Sequence, residues 1–376
     1  MPNKWERTLL IALLSIVLAA CQPAPKAEPE PTPLSPTLPS PTKLPTDIPP
    51  TEIPMPTPTL IPPTPTRRNV PSLLEWADLG TGKGPAYSQD WSPDGLLLAT
   101  ADTDQIRLWN VSTRRETGVL MGHSGFTWGL AWSPMMPDGT SILASANSDG
   151  YVKLWDVTAN AATASLDTGW AMCLDWSPDG QQLAVGTNAG EVQIWDVASQ
   201  QMLSRWRSPS FSMVISVGWS PDGSTIASGQ LDGDIYLWDI ATGEVRLAIN
   251  DYTDERCDTN GLAWSPDGSR IATAHQDGYV RLWDPLTGEL TLAIEAHTGF
   301  VRGMAWSPDG SLLASTGQDR RIVLWDPITG LAYAEQHHNR LPVWSVSWSP
   351  DGTMVASGAG AYLERHVGAT IVWRVP

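Results

Sequence analysis

A chain of 376 residues with a formal charge of −17 at pH 7 is a poor partner for nucleic acid. The first 70 residues hold 6 basic and 5 acidic side chains, which leaves 17 basic and 35 acidic ones, a formal charge of −18, in residues 71–376. Sixteen of those 35 acids are aspartates of recurring turns and dipeptides, so no cationic ligand follows from the charge.

Lys4 and Arg7 precede an apolar run from Leu9 to Ala20. As a helix it would span about 18 Å, short of the roughly 30 Å hydrocarbon core of a bilayer. Residues 1–20 therefore read as a secretory signal peptide. The run closes on Leu18-Ala19-Ala20-Cys21, which resembles the lipobox of bacterial lipoproteins. That resemblance implies cleavage before Cys21, lipid on the cysteine, and attachment to a membrane outside the cytoplasm, at the cell surface or in the periplasm. Residues 21–70 would be a lipid-anchored, disordered linker: 17 of the 33 prolines fall between 22 and 70. Tracts such as PTPLSPTLPSPTKLPT favour polyproline II and would reach up to about 150 Å.

From residue 71 one unit recurs. Trp219 to Asp239, WSPDGSTIASGQLDGDIYLWD, turns through Pro221-Asp222-Gly223, climbs an alternating strand, turns again at Asp232-Gly233 and returns through a strand ending in Trp238. WSPDG recurs at Trp91, Trp132 (stretched to WSPMMPDG), Trp176, Trp219, Trp264, Trp306 and Trp348, at spacings of 41, 44, 43, 45, 42 and 42 residues. The closing strands alternate with it at Trp109, Trp155, Trp195, Trp238, Trp283, Trp325 and Trp373. A period of 40 to 45 residues with these Trp-Asp returns resembles the WD-repeat (WD40) family.

The resemblance covers residues 71–376 and implies an all-β, seven-bladed propeller with four antiparallel strands per blade. The chain ends on an inner-set strand, Ile371 to Val375, so the last blade lacks its outer strand. Residues 72–79, SLLEWADL, are placed to supply it as a velcro closure. The family's loop network implies structural sets at His123, Ser145, Asp149 and Trp155 and at His297, Ser315, Asp319 and Trp325. Repeats four and five keep Ser228, Asp232 and Trp238, and Thr273, Asp277 and Trp283, but lack the loop histidine.

In this family partners dock on the face carrying the loops ahead of the inner strands. Four residues before each inner-strand Trp stand Tyr87, Trp128, Met172, Ile215, Asn260, Arg302 and Trp344, which the resemblance places around the channel mouth. Six before stand Pro85, Phe126, Trp170, Met213, Asp258, Phe300 and Pro342. The set is apolar and aromatic with one arginine, the composition of an interface hot spot. Repeat seven spans 25 residues between its motif tryptophans where four others take 19, and the insertion brings Tyr362, Glu364, Arg365 and His366 to the same face.

No serine elbow, metal-ligand spacing or phosphate loop accompanies these residues, so no catalytic residue, cofactor or metal is assigned. The loop Asp251–Asp258 matches no EF-hand spacing and reads as a solvated loop. Cys173 and Cys257 read as unpaired thiols. The expectation is a monomeric, non-catalytic scaffold for a protein or peptide partner, held to a membrane through Cys21. A component of an envelope assembly or sensing complex, as TolB-like propellers are, stands second, and a propeller hydrolase third.

Overall fold

The computed structural model describes residues 71–79, 85–250, 259–338, 341–360 and 368–376. The leader, the linker with Cys21, the 251–258 loop with Asp258 and Cys257, and the insertion residues Tyr362, Glu364, Arg365 and His366 lie outside the described residues. Among those described, 28 strands form seven four-stranded antiparallel sheets. The inner strands are Ala86–Trp91, Thr127–Trp132, Ala171–Trp176, Val214–Trp219, Thr259–Trp264, Val301–Trp306 and Val343–Trp348, each opening a blade, numbered 1 to 7 in that order. They pack side by side around a ring that closes with blade 7 against blade 1. The sequence-level fold, including the strand count per blade, is the observed one.

Local chemistry builds each blade. In six of the seven WSPDG turns the serine hydroxyl donates to the aspartate at 2.6 Å, from Ser92–Asp94 to Ser349–Asp351. The same carboxylate accepts a backbone N–H two residues on, as at Ser224. The glycine then takes positive φ: Gly223, at +73°, sits against Pro178 of the preceding blade, and the same contact recurs at every such turn except Gly139. The stretched second repeat differs, with Asp138 held by Thr140.

The inner three strands of each blade are covered on both faces, because seven apolar clusters lie between neighbours, while outer strands such as Gln201–Arg207 are largely exposed. Between blades 3 and 4, for example, Val192, Ile194, Trp219, Ile226 and Trp238 are buried together. The last sheet runs in the order Leu74–Asp78, Gly368–Arg374, Met354–Gly360, Val343–Trp348, which is the expected closure. Leu73, fully buried, enters the cluster between blades 6 and 7, and Ala77 and Leu79 enter the one between blades 7 and 1. Trp76 lies between the guanidinium groups of Arg374 and Arg114, 3.7 and 4.4 Å from its ring centroid. Pro71 and Leu73 also hydrogen-bond the backbone of Glu335 on blade 6.

Candidate binding face

Two blades carry a Ser-His-Asp set that resembles a catalytic constellation. In blade 2 His123 Nδ1 lies 2.8 Å from Asp149, its Nε2 lies 2.7 Å from Ser145 Oγ, and Trp155 Nε1 donates to that hydroxyl at 2.8 Å. His297, Asp319, Ser315 and Trp325 repeat these distances in blade 6. Burial pushes the Asp149 and Asp319 carboxyls up, but the imidazole and the N–H groups of Ser124 and Thr298 outweigh it, and both end below the usual value. A Ser-His-Asp order alone is not a nucleophile. Ser145 and Ser315 have no exposed surface and already accept an indole N–H, so these sets tie loops to strands.

Three histidine or glutamine contributions went unread in the sequence. In blade 5 His275 Nε2 lies 2.7 Å from Thr273 Oγ1, which also accepts from Trp283, so the imidazole comes from the second strand instead of the loop. In blade 4 Gln230 does the same for Ser228 and Trp238. The serine-x-glutamine and threonine-x-histidine spacing, one strand face apart, was the available clue. In blade 7 His338 is buried edge-on to Trp373, whose indole donates to Ser357 at 2.7 Å; burial holds its pKa down to about 4. It stands ten residues before its inner-strand Trp, where His123 and His297 stand nine before theirs, and a fixed offset passes over it.

At the mouth, six of the residues chosen by offset form one belt across blades 6, 7, 1 and 2. Tyr87, only 8% exposed, sits 5.1 Å from Trp128 and 5.5 Å from Trp344 between ring centroids. Phe126 joins Trp128 at 6.0 Å and Tyr87 at 6.4 Å. On the other side the Arg302 guanidinium lies over Trp344 at 4.5 Å and over Phe300 at 4.9 Å. Trp344 Nε1 donates to the carbonyl of Gly360, the last residue of the strand Met354–Gly360, at 2.9 Å. Tyr87 is buried and the other rings are half-buried, because they cover one another.

The remaining offset residues stand apart from this belt. Met172, Met213 and Ile215 are half-buried on blades 3 and 4, and Asn260 is engaged through its amide with the Val301 carbonyl at 2.9 Å. Pro85 is buried against Gly360. Trp170 lines a separate cavity of about 300 Å³ with Thr168, Asn188, Ala189, Gln193 and Arg205. That cavity marks blade 3, where Val185 and Ala189 replace the network's serine and aspartate and Trp195 turns to Gln193 instead.

The channel wall holds two carboxylates. An inner strand has a free edge, and Asp90 caps it by accepting from its neighbour Trp91 N–H at 3.0 Å and from Trp132 N–H of the next blade at 2.7 Å. Asp175 bridges Trp176 and Trp219 at the same distances. Where the equivalent residue is Ala131, Gly218, Ala263 or Ala305, its carbonyl accepts the next blade's indole N–H instead. Desolvation raises the Asp90 carboxyl to about 7 and Asp175 to about 6, against the lowering effect of the N–H bonds.

Among the described residues no group of three or more His, Cys, Asp or Glu side chains is arranged to hold a metal. Cys173 is a free thiol facing the Val214 carbonyl, and burial pushes its pKa up, which favours the protonated form.

The family model described as WD domain, G-beta repeat matches residues 78–110, 114–156, 201–239, 252–284, 288–326 and 332–361. Residues 162–215, which hold the blade lacking the serine and aspartate, match the anaphase-promoting complex subunit 4 WD40 domain. The chain is 32% identical over 142 residues to cell division cycle 20.1, cofactor of APC complex, of Arabidopsis thaliana, covering 36% of this chain and 30% of the relative. It is 30% identical over 129 residues to THO complex subunit 3 of Arabidopsis thaliana, covering 33% and 40%. With periodic tryptophan protein 2 homolog of Mus musculus it shares 36% over 112 residues, 28% of this chain and 11% of the relative. The matches thus span less than half the length of each relative.

Proposed function

The chain belongs to the WD-repeat family, and on that premise we propose that it is a monomeric, non-catalytic scaffold whose channel-mouth face binds a protein or peptide partner. The belt from Phe126 through Trp128, Tyr87 and Trp344 to Arg302 and Phe300 carries this reading. It gathers large, rigid side chains with little conformational freedom left to lose, which is what a hot spot requires. Two of the relatives are named as a complex cofactor and a complex subunit, which agrees with a scaffold's work. The motif tryptophans are packed between blades and are not free to serve a partner.

Affinity capture with the full chain as bait tests the face. Trp128→Ala with Trp344→Ala is expected to weaken the captured complex by about 2 kcal/mol or more while the chain stays folded. Leu286→Ala and Ile328→Ala, both 78% exposed on turns at the opposite end of the strands, are expected to leave it unchanged. Equal capture by the belt variant and the parent would move the interface off the mouth.

We also propose that the protein works outside the cytoplasm on a lipid anchor at Cys21, followed by the 21–70 linker as a spacer. The family match begins at residue 78, so this reading rests on Lys4, Arg7, the apolar run and the Leu-Ala-Ala-Cys boundary alone. Metabolic labelling with a fatty acid should mark the parent and not Cys21→Ser; label retained in the variant contradicts the anchor.

A further inference from the structure

We propose that the mouth selects its partner by one carboxylate, taken by Arg302, next to an apolar side chain taken by the aromatic belt. This deepens the reading of the mouth as the partner face and rests on it.

Arg302 is unlike the chain's paired arginines. Arg107, Arg205, Arg281 and Arg321 each face a carboxylate. Arg302 faces rings alone: it makes no hydrogen bond or ion pair among the described residues, and its Nε is sealed from solvent without an acceptor. A guanidinium keeps its charge under all ordinary conditions and carries five N–H donors. Ring faces compensate only part of its lost hydration. Burial, with nothing opposing it, draws its pKa down to about 10. With Nε sealed, the terminal nitrogens are the ones left to meet an incoming acceptor, and two ring contacts already hold them in place, so little order is lost on binding.

The anion is a carboxylate and not a phosphate. Sites that read phosphate gather several cations, whereas the groups facing Arg302 among the described residues are the rings of Phe300 and Trp344. One fork among aromatic rings suits one singly charged, planar group, which a guanidinium meets with two parallel N–H bonds. Trp344 ties this position to the belt, so an apolar residue beside the acid reaches Trp344 and Trp128, which the buried Tyr87 holds from beneath. The carboxylate is that of an Asp or Glu side chain, and free-acid and amide forms of one peptide separate it from a peptide C-terminus.

Synthetic extended peptides carrying Leu beside Glu, with Gln and Lys counterparts, each as free acid and C-terminal amide, decide the matter by fluorescence titration against the full chain. The parent is expected to prefer Glu over Gln by tenfold or more, as free acid and as amide alike, with the preference shrinking as salt rises. Arg302→Met should abolish the preference yet still bind through the belt, Arg302→Lys should retain part of it, and Trp128→Ala should weaken every peptide alike. Melting curves identify any variant that fails to fold, and Arg302→Lys then stands in for Arg302→Met. Equal binding of Glu and Gln peptides, a preference for Lys, or no binding of any peptide by the parent overturns the proposal. Peptide binding with acid preference intact in the Trp128→Ala, Trp344→Ala double variant would instead count against the mouth as the partner face.

Discussion

A chain lacking residues 71–79 is expected to lose the folded ring in one cooperative step. The strand Leu74–Asp78 pairs with Gly368–Arg374, from Leu74 opposite Arg374 to Asp78 opposite Ile371, so its removal strips a ladder from blade 7. Leu73 and Leu79 leave two different inter-blade clusters at the same time, and Glu335 on blade 6 loses a backbone partner. Truncating a buried leucine costs about 2–5 kcal/mol, so two with a ladder approach the whole stability of an ordinary domain, about 5–15 kcal/mol. Leu73→Ser, a smaller lesion, should still lower the melting temperature measurably, whereas deleting residues 22–66 should not. A melt of the 71–79 deletion equal to the parent's contradicts this role for the first strand.

The second large effect is a dependence on pH with a sign unusual for aspartates. Asp90 and Asp175 have folded pKa values near 7 and 6, above the ordinary 3.8, so between about pH 4 and 7 the folded chain holds protons that the unfolded chain releases. Stability from these two groups is therefore present at the acid end of that window and lost as pH rises through it, on the order of 4 kcal/mol for Asp90 alone. The turn aspartates, among them Asp222 and Asp267, are lowered by their serine and N–H bonds and act oppositely, losing their contribution as pH falls below the ordinary carboxylate value. His338 also opposes the pair, since a histidine held neutral by burial favours the folded state as pH rises between about 4 and 6.5.

Comparing the parent with Asp90→Asn, Asp175→Asn by urea unfolding from pH 4 to 8 cancels the other groups. The difference between the two is expected to slope across pH 4 to 7 and level off above it. The slope is the readout, because the amide also loses an acceptor for one of the two N–H groups. Parallel curves would falsify the assignment.

What could be read in the sequence was what the chain does over short distances. Pro-Asp-Gly and Asp-Gly dictate their turns through φ and side-chain capping, and seven copies at one period dictate a ring, so the blades and the closing strand were legible. Contacts between blades were not. Asp90 and Asp175 are visible ahead of their tryptophans where other repeats have Ala, Gly or Ser, but that they cap the neighbouring strand's edge follows only from the packing of consecutive inner strands. The offset of four found the mouth residues, yet which of them meet depends on closure: Trp344 reaches Tyr87 because blade 7 lies against blade 1. Blade 3 shows the reverse limit, since a cavity that no motif announces lies where Ala189 and Gln193 stand in the network's place.

Hydrogen exchange of the full chain, free and saturated with its captured partner, tests the binding face most directly. Protection is expected at Phe126–Trp128, Phe300–Arg302 and Val343–Ser345, and none at the Pro-Asp-Gly turns or around Leu286 and Ile328. Protection confined to those turns or to the outer strands, with the mouth segments exchanging as in the free chain, would contradict a partner seated on the channel mouth.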